Sequence, residues 1–232
     1  MITTRKSSER GHTRIDWLDS RHTFSFGEYH DPRHMGFRAL RVLNDDQVRA
    51  ASGFPTHGHR DMEIVTWVLA GALEHKDSLG NGSVIRPGDV QRMSAGTGIL
   101  HSEWNPSKTE GVHFLQMWIL PDKAGGKSSY EERPIPLADR RGKFRRIADQ
   151  GGRDGAVKMG ADASILNAVL EGGEEAVWEP ARGRSLWLHV ARGSIMAHGH
   201  ELHAGDALAL VDEPRLLVRT DGPSELVLFD LK

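Results

Sequence analysis

Two short motifs with metal-binding side chains stand about forty residues apart: His57-Gly58-His59 and His101-Ser102-Glu103. Residues at positions i and i+2 of a β-strand point to the same face, so each motif directs two side chains the same way. Three imidazoles and one carboxylate favour a divalent first-row transition metal over magnesium or calcium, which prefer oxygen ligands. The motifs therefore predict one metal site built on β-structure.

Glu63 is a second carboxylate that could complete this site. It keeps even spacing from His59, so an unbroken strand would place both side chains on one face. Spacing alone does not choose between Glu63 and Glu103. Whichever carboxylate is not a ligand could orient a ligand imidazole through a hydrogen bond.

Composition narrows the class of protein. The chain has 232 residues, of which 38% are hydrophobic and 27% charged, which suits one large globular domain or two smaller ones. The formal net charge of −2 gives no general attraction to nucleic acid or to an anionic membrane, so neither is predicted as a partner. The absence of cysteine excludes disulfides, thiolate metal sites and cysteine nucleophiles. The histidines are then the strongest nitrogen ligands available.

The N-terminal residues are polar and lack the apolar core of a signal peptide, and no apolar run approaches the ~20 residues of a membrane span. We therefore expect a cytoplasmic protein. Three further histidines, His198, His200 and His203, fall in a predicted hairpin and are interpreted as a polar turn rather than as ligands.

Short apolar segments separated by glycine predict an all-β protein. A polar segment rich in Gly and Pro is predicted as a linker at 122–144, between domains at 1–121 and 145–232. An internal echo supports two copies of one unit. A strand ending at Gly71 precedes the turn Gly88-Asp89, and a strand ending at Gly193 precedes Gly205-Asp206.

The spacing of Gly53, His57, His59, Glu63 and Gly71 resembles the first cupin motif, and Pro87-Gly88-Asp89 followed by His101 resembles the second. Further distinctive segments are His22-Thr23-Phe24-Ser25-Phe26, Met35-Gly36-Phe37-Arg38, Leu40-Arg41-Val42, Thr56 to Glu63, Glu74-His75-Lys76-Asp77-Ser78, Ser94 to Ile99 and His101-Ser102-Glu103. Together these motifs resemble the pirin family of bicupins, and within it the bacterial pirin-like quercetin 2,3-dioxygenases.

The resemblance implies a fold and a ligand set. The fold is two tandem cupin barrels, also called double-stranded β-helices or jelly rolls. The implied ligands of one divalent transition metal ion (Fe, Mn, Ni, Co, Cu or Zn) are His57, His59, His101 and Glu103. The sequence departs from the family at Gly58, where such proteins usually have proline, and glycine allows a looser strand there.

The second copy is predicted to bind no metal. Counting from the equivalent glycines and aspartates places Glu179, Ala181, Val218 and Thr220 where the first copy has its predicted ligands. These residues do not form a comparable ligand set. We therefore interpret 145–232 as a degenerate cupin whose role is structural or to close the cavity.

The resemblance further implies a dioxygenase that cleaves the heterocyclic ring of a flavonol such as quercetin with O2 and releases carbon monoxide. Glu103 is the predicted base for the flavonol 3-hydroxyl, with Glu63 as the second choice. The predicted cavity-wall residues are Met93, Ile99, Phe114, Met117 and Trp118. The alternative is a metal-dependent regulator without catalytic activity. The basic run 140–146 could then dock an acidic protein partner. We expect a monomer.

Overall fold

The computed structural model describes all 232 residues, and nearly all of its regular structure is β-strand. None of its helices has the length and apolar composition needed to cross a bilayer. The strands are β1 (Ile2–Arg5), β2 (Gly11–Arg14), β3 (Leu18–His22), β4 (Leu40–Val48), β5 (Gly53–His59), β6 (Glu63–Ala70), β7 (Leu73–Asp77), β8 (Gly82–Ile85), β9 (Asp89–Ser94), β10 (Ile99–Trp104), β11 (Val112–Ile119), β12 (Ser129–Pro134), β13 (Arg145–Asp149), β14 (Val157–Lys158), β15 (Ala163–Leu170), β16 (Glu175–Trp178), β17 (Ser185–Arg192), β18 (Ser194–Ala197), β19 (His200–His203), β20 (Ala207–Val211), β21 (Leu216–Arg219) and β22 (Ser224–Leu231). The helical segments are α1 (Leu137–Arg140) and two 3₁₀ turns, Ser7–Glu9 and Arg153–Gly155.

Glycine turns end the central strands for steric reasons. After β6, Gly71 has φ +77°, and a Cβ there would lie 2.5 Å from the carbonyl oxygen of Gly111. After β17, Gly193 also has φ +77° and packs against the Pro223 carbonyl. Only glycine combines a positive φ with such close backbone approach. The two positions are those matched in the internal echo, so the repeat extends to turn geometry.

The chain forms two compact units. The first unit consists of Gly11–Pro134 and Val157–Ala161, and the second consists of Met1–Arg10, Ile135–Ala156 and Asp162–Lys232. These boundaries differ from the predicted 1–121, 122–144 and 145–232: Met1–Arg10 belongs to the second unit, the predicted linker is divided after Pro134, and Val157–Ala161 belongs to the first unit. Strand β1 pairs with β20 of the second unit, and β12, inside the predicted linker, pairs with β9 of the first. Both segments are held by backbone pairing that local composition does not indicate.

In the first unit, one sheet has the strand order β12-β9-β6-β11-β4-β3-β2 and the other has the order β5-β10-β7-β8. Strands that neighbour each other in these sheets pair antiparallel. The fold is thus a cupin barrel, as the resemblance predicted. Apolar side chains such as Val68, Leu73 and Phe114 form a buried core cluster of this unit.

The second unit is also a cupin barrel, with one sheet in the order β1-β20-β17-β22-β15-β13 and the other in the order β16-β21-β18-β19. Its interior is filled by aliphatic side chains, among them Leu166, Leu188, Val218 and Leu228. The basic run is not a free linker. Arg140 bonds to Asn167 and Glu225, and the Arg146 guanidinium lies 2.7 Å from the Asp154 carboxylate.

Candidate metal centre

Strands β5 and β10 bring the two sequence motifs together. They pair antiparallel with His101 opposite His57 and Ile99 opposite His59. The alternation of side chains along each strand then places all three imidazoles on one face. Strand β5 continues without a break through Gly58, so the glycine that replaces proline does not interrupt the ligand-bearing strand.

The three imidazoles converge through their Nε2 atoms. The His101 Nε2 lies 2.9 Å from that of His59 and 3.1 Å from that of His57. One coordinating nitrogen from each ring lies within 4.8 Å of the others. The His57 Nδ1 is 2.8 Å from the Pro55 carbonyl oxygen, which can only accept, so this nitrogen carries the proton. The Nε2 of His57 therefore presents a lone pair to the group. Converging neutral imidazoles are suitable donors for Zn, Cu, Fe or Ni.

Burial keeps two of these imidazoles neutral. Loss of solvent and the neighbouring His57 lower the pKa of His59 to about 4. Loss of solvent and repulsion from His57, His59 and His75 lower the pKa of His101 to about 2, although Asp77 acts in the opposite direction. A metal competes with protons for the same nitrogens, so low pKa values keep the ligands available well below neutral pH.

The Glu103 carboxylate lies in the same cavity but outside the 4.8 Å group of imidazole nitrogens. The pairing of β10 with β5 shifts register between His101 and Glu103, which interrupts the simple alternation of side chains. The Gln116 side-chain amide donates to both carboxylate oxygens, at 2.8 and 2.9 Å. Burial raises the pKa of Glu103 to about 7, and the Gln116 bonds oppose part of this rise. A cation beside the carboxylate would lower the pKa again.

Glu63 does not reach the imidazoles, and the expectation of a shared face with His59 was wrong. A turn with Asp61 at φ +51° separates β5 from β6 and breaks the even spacing. The buried Glu63 carboxylate accepts a hydrogen bond of 2.6 Å from Ser94 and packs against Gly160. It therefore contacts no ligand imidazole as a hydrogen-bond partner.

A cavity of about 260 Å³ opens in front of His57 and His59. Trp118 forms part of its wall and meets the His59 ring edge-on, with centroids 4.8 Å apart. Of the other predicted wall residues, Met93, Ile99, Phe114 and Met117 are buried core side chains that do not line the cavity. The full lining is Thr13, Leu18, Ser20, His22, Phe26, Gly27, Glu28, Asn44, Asp46, Phe54, His57, His59, Glu103, Gln116 and Trp118.

A polar network on β3 and β4 lines the cavity and was missed in the sequence. The His22 Nδ1 is 2.9 Å from the Asn44 side-chain oxygen, its Nε2 is 2.8 Å from the Thr13 hydroxyl, and Ser20 donates to Asp46. Ser20 and His22, like Asn44 and Asp46, stand two residues apart on a strand. The i, i+2 rule applied to the metal motifs could therefore have found them. The excluded His198, His200 and His203 lie exposed at the β18–β19 hairpin.

We expect the metal-free protein to lose stability as the pH falls below about 6.5, the pKa of a free imidazole. The unfolded chain takes up protons on His59 and His101 near that pH, whereas the folded chain resists until their pKa values of about 4 and about 2. Acid therefore favours the unfolded state. Glu103 has the opposite effect on the pH dependence of stability, because its pKa of about 7 in the folded chain lies above its value in the unfolded chain. The stability that Glu103 contributes is fully present in acid and is lost as the pH rises through 7.

The measurement is urea unfolding of metal-free protein at about pH 6.5 and about pH 5, where two imidazoles outweigh one carboxyl group. His101→Gln removes one of the two imidazoles and should therefore reduce the loss of stability between these pH values. An equal loss in the variant would show that His101 does not contribute.

The sequence matches the family described as Pirin over residues 3–119 and the quercetinase C-terminal cupin domain over residues 147–231. It is 45% identical over 231 residues to the quercetin 2,3-dioxygenase of Escherichia coli K12, covering 100% of this chain and 99% of the relative. It is 40% identical over 231 residues to a pirin-like protein of Caulobacter vibrioides, covering 99% of each. These names do not favour the regulatory alternative.

Among solved structures, the bacterial pirin YhhW of Escherichia coli in complex with nickel(II) superposes with a TM-score of 0.94 at 44% identity, covering 100% of this chain and 99% of that one. The resemblance that the motifs indicated is thereby confirmed, and it extends through both cupin units. The chain belongs to the pirin family.

Proposed function

We propose that this protein is a metal-dependent dioxygenase that opens the heterocyclic ring of a flavonol such as quercetin with O2 and releases carbon monoxide. His57, His59 and His101 hold one divalent transition metal ion, and Glu103 is the fourth ligand and the base. One observation carries the proposal. The imidazole nitrogens converge, within 3.1 Å of His101 Nε2, on a cavity that also contains a buried carboxyl group.

The chain's own residues then have separate tasks. When bound, the metal acts as a Lewis acid and as a template for flavonol and dioxygen. Glu103 accepts the proton of the flavonol 3-hydroxyl, for which a pKa of about 7 is well placed at neutral pH. Oxygen inserts across the enol ring, the ring opens, and the carbon that bore the hydroxyl leaves as carbon monoxide. The proton held by Glu103 returns to the carboxylate formed at the former ring carbonyl, which regenerates the base.

Gln116 orients the Glu103 carboxylate in the cavity. Both carboxylate oxygens accept hydrogen bonds from the same Gln116 amide. Each oxygen keeps a further lone pair, so Glu103 can coordinate a metal while both bonds remain. Gln116 in turn accepts a hydrogen bond of 3.0 Å from Thr66, which fixes its amide orientation. Gln116 thus supports the carboxylate when no metal neutralises it.

The cavity is suited to a flat, hydroxylated aromatic molecule. Its volume of about 260 Å³ lies just below the ~300–1,000 Å³ typical of small-molecule sites. Phe26, Phe54 and Trp118 supply apolar ring surface, and Asn44 and Asp46 supply polar groups. Apolar walls with a few placed polar groups are typical of sites that orient a small ligand.

The direct test is turnover. Protein loaded separately with Fe, Mn, Ni, Co, Cu or Zn is incubated with quercetin in air and under anaerobic conditions. We expect at least one metal form to remove the flavonol absorbance only in air and to release one carbon monoxide per quercetin consumed. Metal-free protein and the His101→Leu variant are the controls. If none of the metal forms consumes quercetin in an oxygen-dependent reaction, the proposal is contradicted.

A further inference from the structure

A second histidine lies directly behind His101 inside the barrel. Strand β7 pairs with β10 so that Asp77 faces His101 and His75 faces Glu103. The His75 ring is fully buried, and its Nδ1 lies 3.5 Å from the Nδ1 of His101. Its Nε2 lies 3.2 Å from the Asp77 carboxylate, which has no exposed side-chain surface. None of the proposed catalytic steps uses this buried pair.

Asp77 is held as a hydrogen-bond acceptor. Its Oδ1 accepts the backbone N–H groups of Leu79 and Asn81 at 2.9 and 3.0 Å. The Asn81 side-chain amide donates to Oδ2 at 2.9 Å. A carboxylate surrounded by these donors has no proton of its own to give. The contact with His75 therefore places a proton on His75 Nε2.

The remaining protons follow from this assignment. A neutral His75 with its proton on Nε2 has a lone pair on Nδ1, which can only accept. The His101 Nδ1 facing it must then be the donor and carry the His101 proton. The His101 Nε2 is left with a lone pair, and this is the atom that lies 2.9 Å from His59 and 3.1 Å from His57.

We propose that His75 and Asp77 are positioning residues that fix His101 in the Nδ1–H tautomer, so that its Nε2 lone pair faces His57 and His59. The metal-binding part of this inference rests on the proposed function, whereas the tautomer does not. A ligand histidine whose second nitrogen donates to an acceptor is oriented and made more basic. Here the acceptor is a second imidazole, with the carboxylate one ring further away.

Tyr130 holds the His75 ring in the orientation needed for its contacts with Asp77 and His101. The two rings stack with centroids 4.9 Å apart and planes 24° from parallel. The Tyr130 hydroxyl is 2.7 Å from the Glu132 carboxylate and 2.5 Å from the Ser83 hydroxyl. Because His75 is confined between Tyr130 and His101, it keeps its nitrogens aligned with Asp77 and His101.

Asp77→Asn is the sharpest test because it reverses the direction of the chain of hydrogen bonds. The backbone N–H groups of Leu79 and Asn81 should retain the amide oxygen, which leaves the amide NH₂ facing His75. The Asn81 side-chain amide, which donates to this position in the native protein, would turn to present its oxygen. His75 would then accept at Nε2, carry its proton on Nδ1 and donate to His101. His101 would be driven to the Nε2–H tautomer, which cannot bind a metal through Nε2.

The readout is the ring ¹⁵N spectrum of metal-free protein, in which the protonated nitrogen of each histidine is identified. We expect Nδ1–H for His101 in the native protein and Nε2–H in Asp77→Asn. Asp45→Asn is a matched control, because Asp45 pairs with His113 at 2.6 Å on the same unit and outside the cavity. That variant should leave the His101 signal unchanged. An Nε2–H form of His101 in the native protein would overturn the proposal without any variant.

Metal affinity gives a second measurement. His75→Phe keeps a ring against Tyr130 but removes the acceptor, and should weaken binding by the ~10–100-fold typical of an outer-shell partner. His75→Asn offers an oxygen close to the position of Nδ1 and should recover part of the affinity. Equal affinities of native protein and His75→Phe would contradict the proposal. If the tautomers behave as expected while quercetin is not consumed, the proposed function fails and the positioning role stands.

Discussion

Replacing Glu103 with glutamine is expected to abolish flavonol turnover. The change removes the carboxylate that Gln116 holds in the cavity. Glutamine cannot take the 3-hydroxyl proton, so the rate should fall by the ~10²–10⁴-fold associated with a general base. Because glutamine is also a weaker ligand than a carboxylate, we expect weaker metal binding. Steady-state kinetics on quercetin and titration of metal-free protein with metal measure the two effects separately.

Glu63→Gln is the matched control for this prediction. Glu63 is equally a buried glutamate of the first unit, but its carboxylate bonds to Ser94 and packs against Gly160. We expect it to keep the metal and turn over quercetin within ~10-fold of the native rate, the lower limit for an outer-shell partner. The opposite ranking, with Glu63→Gln losing the metal and Glu103→Gln keeping it, would assign the carboxylate ligand to Glu63.

Replacing His101 with leucine is expected to remove the metal. A site free energy of ~10–16 kcal/mol shared by four ligands gives roughly 3 kcal/mol for each, or at least ~100-fold in the dissociation constant. The loss of metal affinity in His101→Leu should exceed that in His57→Leu, because the His101 Nε2 lies within 3.1 Å of the Nε2 atoms of both His57 and His59. Elemental analysis of protein purified without chelators or metal-affinity resin should find one metal per native chain and almost none in the variant.

His200→Leu controls for adventitious binding by histidines in general. His200 belongs to an exposed hairpin of the second unit. We expect this variant to retain one metal per chain. Two metals per native chain, with one retained in His101→Leu, would instead indicate a second site and contradict the prediction of a metal-free C-terminal cupin.

The sequence predicted the fold class, because short strands with glycine turns and an internal echo are visible in residue types alone. The convergence of His57, His59 and His101 was also predictable, since β5 and β10 are regular enough around these residues for the i, i+2 rule to hold. The same rule failed for Glu63, because the turn at Asp61 resets the alternation before β6 begins. A left-handed residue other than glycine has only a weak sequence signature.

Other parts of the site were less accessible to prediction. His75 and Asp77 are also two residues apart on a strand, but this spacing indicates a role beside the metal site only because the strand is buried inside the barrel at this point. Burial depends on which strand pairs alongside, and β10 is more than twenty residues away in sequence. The placement of β12 in the first unit is likewise set by pairing with β9. Non-local pairing of this kind leaves no local periodicity to detect.

The pairing of β1 with β20 has a consequence for synthesis of the protein. Ile2 lies opposite Leu210, so β1 must wait for a strand that is synthesised about 200 residues later. At ~5–20 residues per second, about 200 residues correspond to ~10–40 seconds. During this delay the first unit can fold, while β1 remains an unpaired segment. Its sequence, ITTR, is short, polar and charged, and these properties protect such a segment from joining other nascent chains.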